Sequence, residues 1–104
     1  MVYVTVASAD ETERLASALV EERLAACVNR IREVQSIYRW EGTAEKSAEE
    51  LLIVKTRRDL FPLLRNRIQE LHSYSVPEII ALPIVEGNAS YLQWLNEQLR
   101  ESDK

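Results

Sequence analysis

Segments with the two-residue hydrophobic period of a strand and segments with the helical period follow one another along this chain, and their order limits the folds that it can adopt. Residues 2–6 follow the two-residue period of a strand, and an apolar stripe at helical spacing then predicts a helix over about 10–24. Ser8, Asp10 and Thr12 are candidate caps for this helix, and Ser8 with Glu11 fits a capping box. Two more strands are expected over 34–41 and 50–56, and the polar stretch 42–48 between them predicts a loop. The second of these strands is apolar on both faces, so we expect it in the centre of a sheet.

The remaining part of the chain predicts a helix, a strand and a final helix. Asp59 is a candidate helix cap, and Pro62 is tolerated because it falls in the first helical turn. A strand is expected over 78–82, where Pro83 places the strand end at an edge or in a bulge, and Asn88 can cap a short last helix. This order predicts an α+β fold: a βαββαβ antiparallel sheet with two helices on one face, plus a C-terminal helix.

Length and charge bound the number of domains and the kinds of partner. A chain of 104 residues is long enough for one ordinary domain and too short for two, so we expect 1–104 to be a single domain. The net charge of −4 argues against nucleic acid and anionic membranes as partners. No stretch approaches the ~20 continuous apolar residues of a membrane span, and the amino terminus has no basic leader. We therefore expect a cytoplasmic protein.

Two side chains are candidate metal ligands. Cys27 is the single cysteine, and a lone cysteine after apolar residues is more often a small buried side chain than a ligand. His72 is the single histidine, and at the predicted end of a helix its cation would be favoured by the helix dipole. That structural role is at least as common as ligation. No C-x-x-C pair is present, which excludes the usual metallochaperone signature but leaves a weak copper site open.

One basic and two aromatic side chains are candidates for a binding cleft. Lys55 interrupts an otherwise apolar strand, so either its ammonium reaches solvent or an anion or carboxylate holds it in a cleft. Tyr38 and Trp40 share one face of the preceding strand, where they would line such a cleft or pack in the core or a subunit interface. No glycine-rich loop is present, so the sequence has no P-loop or dinucleotide fingerprint, and an enzyme is the least favoured class.

Five stretches together resemble the CutA divalent-cation tolerance family, in the right order and over nearly the whole chain. They are VEERLAACVN at 20–29, SIYRWEG at 36–42, LIVKT at 52–56, HSYSVPEIIALPI at 72–84 and GNASYLQWL at 87–95.

The resemblance implies a ferredoxin-like domain that assembles as a homotrimer and has no enzymatic activity. It links the protein to the response to divalent metal ions, with no required cofactor and with copper or another divalent cation as a weakly bound partner. Where the family has a cysteine and a histidine pair as ligands, this chain has Val6 and Leu71–His72. The candidate metal ligands are therefore His72, which remains from the pair, and Cys27, which comes from a different motif.

The family is also similar in architecture to PII-type signalling proteins, which bind small effectors in clefts between subunits. An alternative function is therefore a small-molecule-responsive signalling or scaffold trimer. Its inter-subunit cleft would be formed by Tyr38, Trp40, Lys55, Tyr74 and Glu78, with Lys55 as the positive anchor of an anionic or zwitterionic ligand.

The predicted hairpin 34–57 also bears on assembly. Each of its strands would reach ~25 Å at ~3.3 Å per residue, long enough to extend beyond the helices that cover the sheet. Tyr38 and Trp40 lie on that extension, where large aromatic side chains are costly to leave in water. Pairing of the extension with a neighbour's edge around a three-fold axis would remove the exposed edges, so we expect a homotrimer with both aromatics at or near the contacts.

Overall fold

The computed structural model describes residues 1–101, which form one four-stranded sheet and three α-helices. The elements are β1 (Val2–Val6), α1 (Ala9–Glu21), β2 (Cys27–Trp40), β3 (Thr43–Lys55), a 3-10 turn (Arg58–Leu60), α2 (Phe61–Leu71), β4 (Ile79–Ala81) and α3 (Ala89–Gln98). The strand order in the sheet is β2-β3-β1-β4, and every neighbouring pair is antiparallel. The predicted α+β fold is confirmed, with β3 in the interior of the sheet and β4 at an edge.

The hydrophobic core lies between one face of the sheet and the two longer helices. Along β1 the three valines are buried and alternate with half-buried residues, as the two-residue period predicts. They form one cluster with side chains from β3, α1 and α2: Val2, Val4, Val6, Leu15, Leu19, Leu52, Val54, Leu64 and Ile68. The other side of the sheet, which we call the open face, carries the alternate residues of the central strands, including Tyr3, Thr5, Leu51 and Ile53.

The hairpin between β2 and β3 differs from the prediction, because residues 43–48 of the predicted loop 42–48 are strand. Trp40 pairs with Thr43, so only Glu41 and Gly42 form the turn. Both have positive φ, 50° and 82°, as in the two-residue type I′ turn whose twist matches that of the flanking strands. The polar composition of 43–48 therefore reflects a solvated strand, and the molecule is correspondingly long, at 44 × 26 × 23 Å.

A β-bulge in β2 changes which side chains point to the open face. Ile31 pairs with Leu51 and Val34 pairs with Glu49, so three steps along β2 match two steps along β3. Glu33, inside this interval, has a φ of 59°, and the extra residue is absorbed there. Because cross-strand partners share a face, Ile31 and Val34 lie on the open face although they are three residues apart.

The predicted end of α1 and the predicted N-cap of α2 are both wrong by one to a few residues. The helix predicted over about 10–24 ends at Glu21, because Arg23 has a φ of 60° that a helix cannot continue through. Asp59 does not cap α2, whose N-cap is Leu60. Its carboxylate instead accepts a hydrogen bond of 3.0 Å from the guanidinium of Arg57.

Two other predicted caps are confirmed. The side chain of Asn88 accepts a hydrogen bond from the backbone N–H of Ser90 at the start of α3. Ser8 accepts one from the backbone N–H of Glu11, as the capping-box spacing of these residues predicts. The carboxylate of Glu11, however, turns to a different partner, described below. Within residues 1–101, none of the helices has the length and apolar composition needed to cross a bilayer.

Candidate ligand cavity on the open face of the sheet

A cavity of about 730 Å³ lies where β2 and β3 face the segment between α2 and β4. Three aromatic side chains, Tyr38, Trp40 and Tyr74, and two carboxylates, Glu49 and Glu78, contribute to its walls. Serine and threonine hydroxyls add to the lining. A cavity of this size with apolar walls and a few polar groups is typical of a small-molecule site.

The β-bulge places the β2 aromatics in this cavity. Beyond the bulge, Tyr38 pairs with Glu45 and Trp40 pairs with Thr43, so both aromatics share the face of β3 that carries Glu49. The hydroxyl groups of Tyr38 and Ser47 share a hydrogen bond of 2.8 Å, which fixes the tyrosine across the hairpin. Without the extra residue in β2, both rings would point to the face that carries the helices.

A buried polar network holds the opposite wall, in the segment that follows α2. The carboxylate of Glu11 accepts two hydrogen bonds from Ser73, one from its backbone N–H at 3.0 Å and one from its hydroxyl at 2.6 Å. The N–H of Tyr74 donates to Nδ1 of His72 at 3.0 Å, so this nitrogen carries a lone pair and the ring proton is on Nε2. Nε2–H then donates to the carbonyl of Thr5 at 2.7 Å. The network ties the start of the segment to both α1 and β1.

The ionisation of Glu11 depends on this network. Burial by itself raises the pKa of the Glu11 carboxyl, because it disfavours the charged form. The two hydrogen bonds from Ser73 are the largest opposing effect, and with the nearby Arg14 guanidinium they help to lower the pKa below its ordinary value. Glu11 is therefore a buried anion that is stabilised mainly by one serine.

A second carboxylate, that of Glu49, forms a hydrogen bond with Tyr74, an aromatic residue in the wall of the cavity. The hydroxyl of Tyr74 donates to Oε2 of Glu49 at 2.8 Å. Burial and then the contact with Glu49 raise the pKa of Tyr74 well above its ordinary value, so the phenol stays protonated and remains a donor. The Tyr74 ring also lies 4.8 Å from the His72 ring between centroids. Tyr74 is thus held by Glu49 at its hydroxyl and by His72 against its ring.

Four of the five residues predicted for the cleft line this cavity: Tyr38, Trp40, Tyr74 and Glu78. Lys55 does not line it. It lies at the far end of β3, where its ammonium group contacts the side-chain carbonyl of Asn29 on the neighbouring strand. Within one subunit, the predicted positive anchor is therefore separate from the other four residues.

The two predicted metal ligands lie in different parts of the sheet. His72 has a fully buried ring and contacts Thr5, which pairs with Leu51, whereas Cys27 pairs with Lys55. Four residues along one strand correspond to ~13 Å. Both ring nitrogens of His72 already have hydrogen-bond partners. Residues 1–101 contain no group of three or more His, Cys, Asp and Glu side chains placed to hold a metal ion.

Sequence reasoning missed two residues that shape the cavity. Glu49 lies beside Glu50 in the sequence, and such a pair is usually a solvated face, but Glu49 is only 8% exposed. The other is Ser73, whose bonds to Glu11 hold the segment. The capping-box spacing was a signal for Glu11 but not for Ser73, which is 62 residues away along the chain.

Comparison with known proteins identifies the family. Residues 1–98 match the family model described as CutA1 divalent ion tolerance protein. The chain belongs to this family. The divalent-cation tolerance protein CutA of Thermus thermophilus is 54% identical over 97 residues, which cover 93% of this chain and 94% of that protein. A solved structure of the divalent cation tolerance protein (Cut A1) from the same organism has a TM-score of 0.93 and 52% identity, with 95% of this chain and 96% of that chain covered.

Other CutA relatives are longer than this chain. The chloroplastic protein CutA 1 of Oryza sativa is 49% identical over 102 residues, which cover 98% of this chain but 58% of the rice protein. The human protein CutA is covered to a similar extent, 53% of its length. The chain therefore spans little more than half the length of these two relatives.

Proposed function

We propose that this protein acts in tolerance of and response to divalent metal ions, as a non-enzymatic cytoplasmic homotrimer without a required cofactor. The observation that carries the proposal is the match to the CutA1 divalent ion tolerance family over nearly the whole chain. The high identity to the Thermus thermophilus divalent-cation tolerance protein over almost all of both chains supports it. Among the divalent metals, we propose copper as the ion that the protein binds.

Copper binding at the predicted ligands has a structural requirement. The neutral His72 ring already donates to Thr5 and accepts from Tyr74, so a copper ion must replace one of these two partners. Cys27 is half-buried on the open face and is separated from His72 along the sheet. One ion held by both residues would therefore need a rearrangement or residues from two subunits.

Calorimetric titration of Cu²⁺ into metal-free protein tests this part of the proposal. We expect saturable binding at micromolar concentration or below, weakened at least about tenfold in His72→Ala or Cys27→Ser, since loss of a ligand removes a coordinate bond. Circular dichroism of each variant controls for folding. Binding that is unchanged in both variants, or no saturable binding, would contradict copper ligation at these residues.

The exposed apolar surface supports the trimer. Tyr38 and Trp40 on the outer part of the hairpin are 43% and 50% exposed, and Ile80 on the edge strand β4 is 51% exposed. Ile31 and Ile80 pair with open-face residues, so this surface is continuous with the open face. Exposed apolar residues beside unpaired strand edges are what pairing with other copies of the chain would cover.

A second candidate function is the small-molecule-responsive trimer, and the cavity is the observation that favours it. Four of the five predicted cleft residues surround one space of about 730 Å³. A thermal-shift screen of divalent metal salts against small organic metabolites separates the two candidates. A rise in melting temperature with organic compounds alone supports ligand sensing, and a rise with metal ions alone supports the metal function.

A further inference from the structure

We propose that the last helix, α3, is a strap that opens while the sheet stays folded, and that the guanidinium groups of Arg23 and Arg57 hold it closed. The helix follows the edge strand β4, and the segment 82–88 between them contains no helix or strand. α3 packs at the end of the sheet where β3 ends, which is the end opposite the hairpin turn.

A small apolar cluster joins α3 to the rest of the chain. Its buried members are Leu95 of the helix, Leu99 at the C-cap and Leu60 of the 3-10 turn, and Ala26 and Leu63 pack against them. The buried side chains of β1, β3, α1 and α2 form the main core instead. Opening of α3 would therefore disrupt the small cluster while the main core keeps its buried side chains.

The small cluster lies at the ends of two strands and not against their centres. Ala26 precedes β2, and its N–H donates to the carbonyl of Lys55, the last residue of β3, at 2.9 Å. Leu60 belongs to the turn that follows β3. Opening of α3 would therefore uncover a turn and two strand ends, and the pairing of the four strands would remain.

The C-terminal end of α3 is capped by a guanidinium group from another part of the chain. The last four carbonyls of a helix have no partner within it, and their negative partial charge favours a cation. α3 itself contains no basic residue. Arg23 supplies the cation: its Nε donates to the carbonyl of Gln98 at 2.9 Å, and its Nη2 donates to that of Glu97 at 2.6 Å. The carbonyl of Arg23 also accepts the N–H of Arg100 at 3.0 Å.

Arg57 holds the same end of α3 from a second part of the chain. Its Nη1 donates to Oδ1 of Asn96 at 2.8 Å, and its Nη2 donates to the carbonyl of Arg100 at 2.7 Å. Its Nε donates to Asp59, which fixes the direction of the guanidinium. Because these bonds are all at one end of α3, their loss would free the helix from that end, while the segment 82–88 would still tether the other end.

Amide hydrogen exchange of the assembled protein, followed by mass spectrometry of peptides, tests the strap. In the parent protein we expect the protection factors of α3 amides to be at least about tenfold smaller than those of β1, because α3 opens without global unfolding. Arg23→Met and Arg57→Met keep an unbranched side chain and remove the guanidinium. Each should lower the protection of α3 several-fold and leave that of β1 unchanged.

Two further variants separate the roles of the arginines and of the apolar cluster. Arg67→Met is the matched control, because the Arg67 guanidinium donates to the carboxylate of Glu22 at 2.9 Å, and none of its hydrogen bonds reaches α3. It should leave the difference between α3 and β1 unchanged. Leu99→Ala truncates a buried member of the small cluster and should lower the protection of α3 at least about tenfold without affecting β1.

Three results would overturn the inference. Equal protection of α3 and β1 in the parent protein would show that α3 opens only when the whole protein unfolds. Unchanged protection of α3 in both Arg23→Met and Arg57→Met would show that other contacts, including those with neighbouring copies, hold the helix. A decrease of equal size in α3 and β1 would show that the two arginines stabilise the whole domain and not the strap.

Discussion

Replacement of Glu11 by glutamine should destabilise the protein by about 2 kcal/mol at neutral pH. In the parent protein both carboxylate oxygens accept hydrogen bonds from Ser73, at 3.0 and 2.6 Å. Glutamine has one oxygen, so one Ser73 donor loses its acceptor and the other bond becomes neutral. Charge-assisted hydrogen bonds contribute roughly 1.5–3 kcal/mol and neutral ones roughly 0.5–1.5. The smaller desolvation cost of the amide offsets part of the loss.

The pH dependence of the same variant gives an independent readout. Because the folded-state pKa of Glu11 lies below its ordinary value of about 4.3, its contribution to stability is complete above that pH. The contribution is lost as the pH falls through the folded-state pKa. Glutamine does not titrate, so the difference in free energy of unfolding between parent and Glu11→Gln should be largest at pH 7 and should shrink below about pH 4.

Equilibrium unfolding in guanidinium chloride, followed by far-UV circular dichroism, measures both effects. All proteins are compared at one chain concentration, because assembly makes apparent stability depend on concentration. The matched control is Glu13→Gln in the same helix, whose carboxylate is 74% exposed and lies 3.4 Å from Arg30. It should cause a much smaller change. The reasoning is refuted if Glu11→Gln costs less than about 0.5 kcal/mol at pH 7, or if its cost is the same at pH 3.5.

Two further predictions concern the hairpin. Sedimentation equilibrium should give three times the chain mass of 12.0 kDa at micromolar concentration, and Trp40→Ala should shift this assembly towards smaller species. Trp94→Ala, on α3 at similar exposure, should have no such effect, and a parent protein with the mass of one chain would contradict the trimer. In the turn, Gly42→Ala should cost about 1 kcal/mol, since the φ of 82° strains alanine while an added Cβ meets no atom within 4 Å. Gly42→Asn should cost less because asparagine tolerates positive φ. Equal melting temperatures for the parent protein, Gly42→Ala and Gly42→Asn would refute the turn geometry.

The elements that depend on local patterns could be predicted from the sequence. The alternating valines of β1 follow a period that predicts only a strand, and the apolar stripe of α1 follows one that predicts only a helix. Both elements are confirmed. The turn at Glu41 and Gly42 could not be placed, because glutamate is not a usual first residue of a type I′ turn. The polar residues after it therefore resembled a loop.

The cavity was predictable only in part, because its walls are brought together by long-range contacts. Tyr38 and Trp40 could be assigned to one face from their spacing alone. Which face that is depends on the bulge at Glu33, a single backbone conformation with no glycine to mark it. Within one chain Lys55 lies outside the cavity because of its position on β3, four residues beyond Leu51, which pairs with Thr5 of the cavity lining.

The two aromatics of the hairpin connect the proposed assembly to the proposed ligand site. Tyr38 and Trp40 line the cavity, and they also lie on the exposed part of the hairpin that we expect to contact a neighbouring subunit. If the same rings serve both, a ligand that binds only the assembled chain must also strengthen assembly, since linkage between two equilibria is reciprocal. Sedimentation of the protein with and without an organic compound that raises its melting temperature measures that coupling directly. A shift of the assembly equilibrium towards the trimer would indicate that the compound binds between subunits, whereas binding without a shift would indicate a site within one chain.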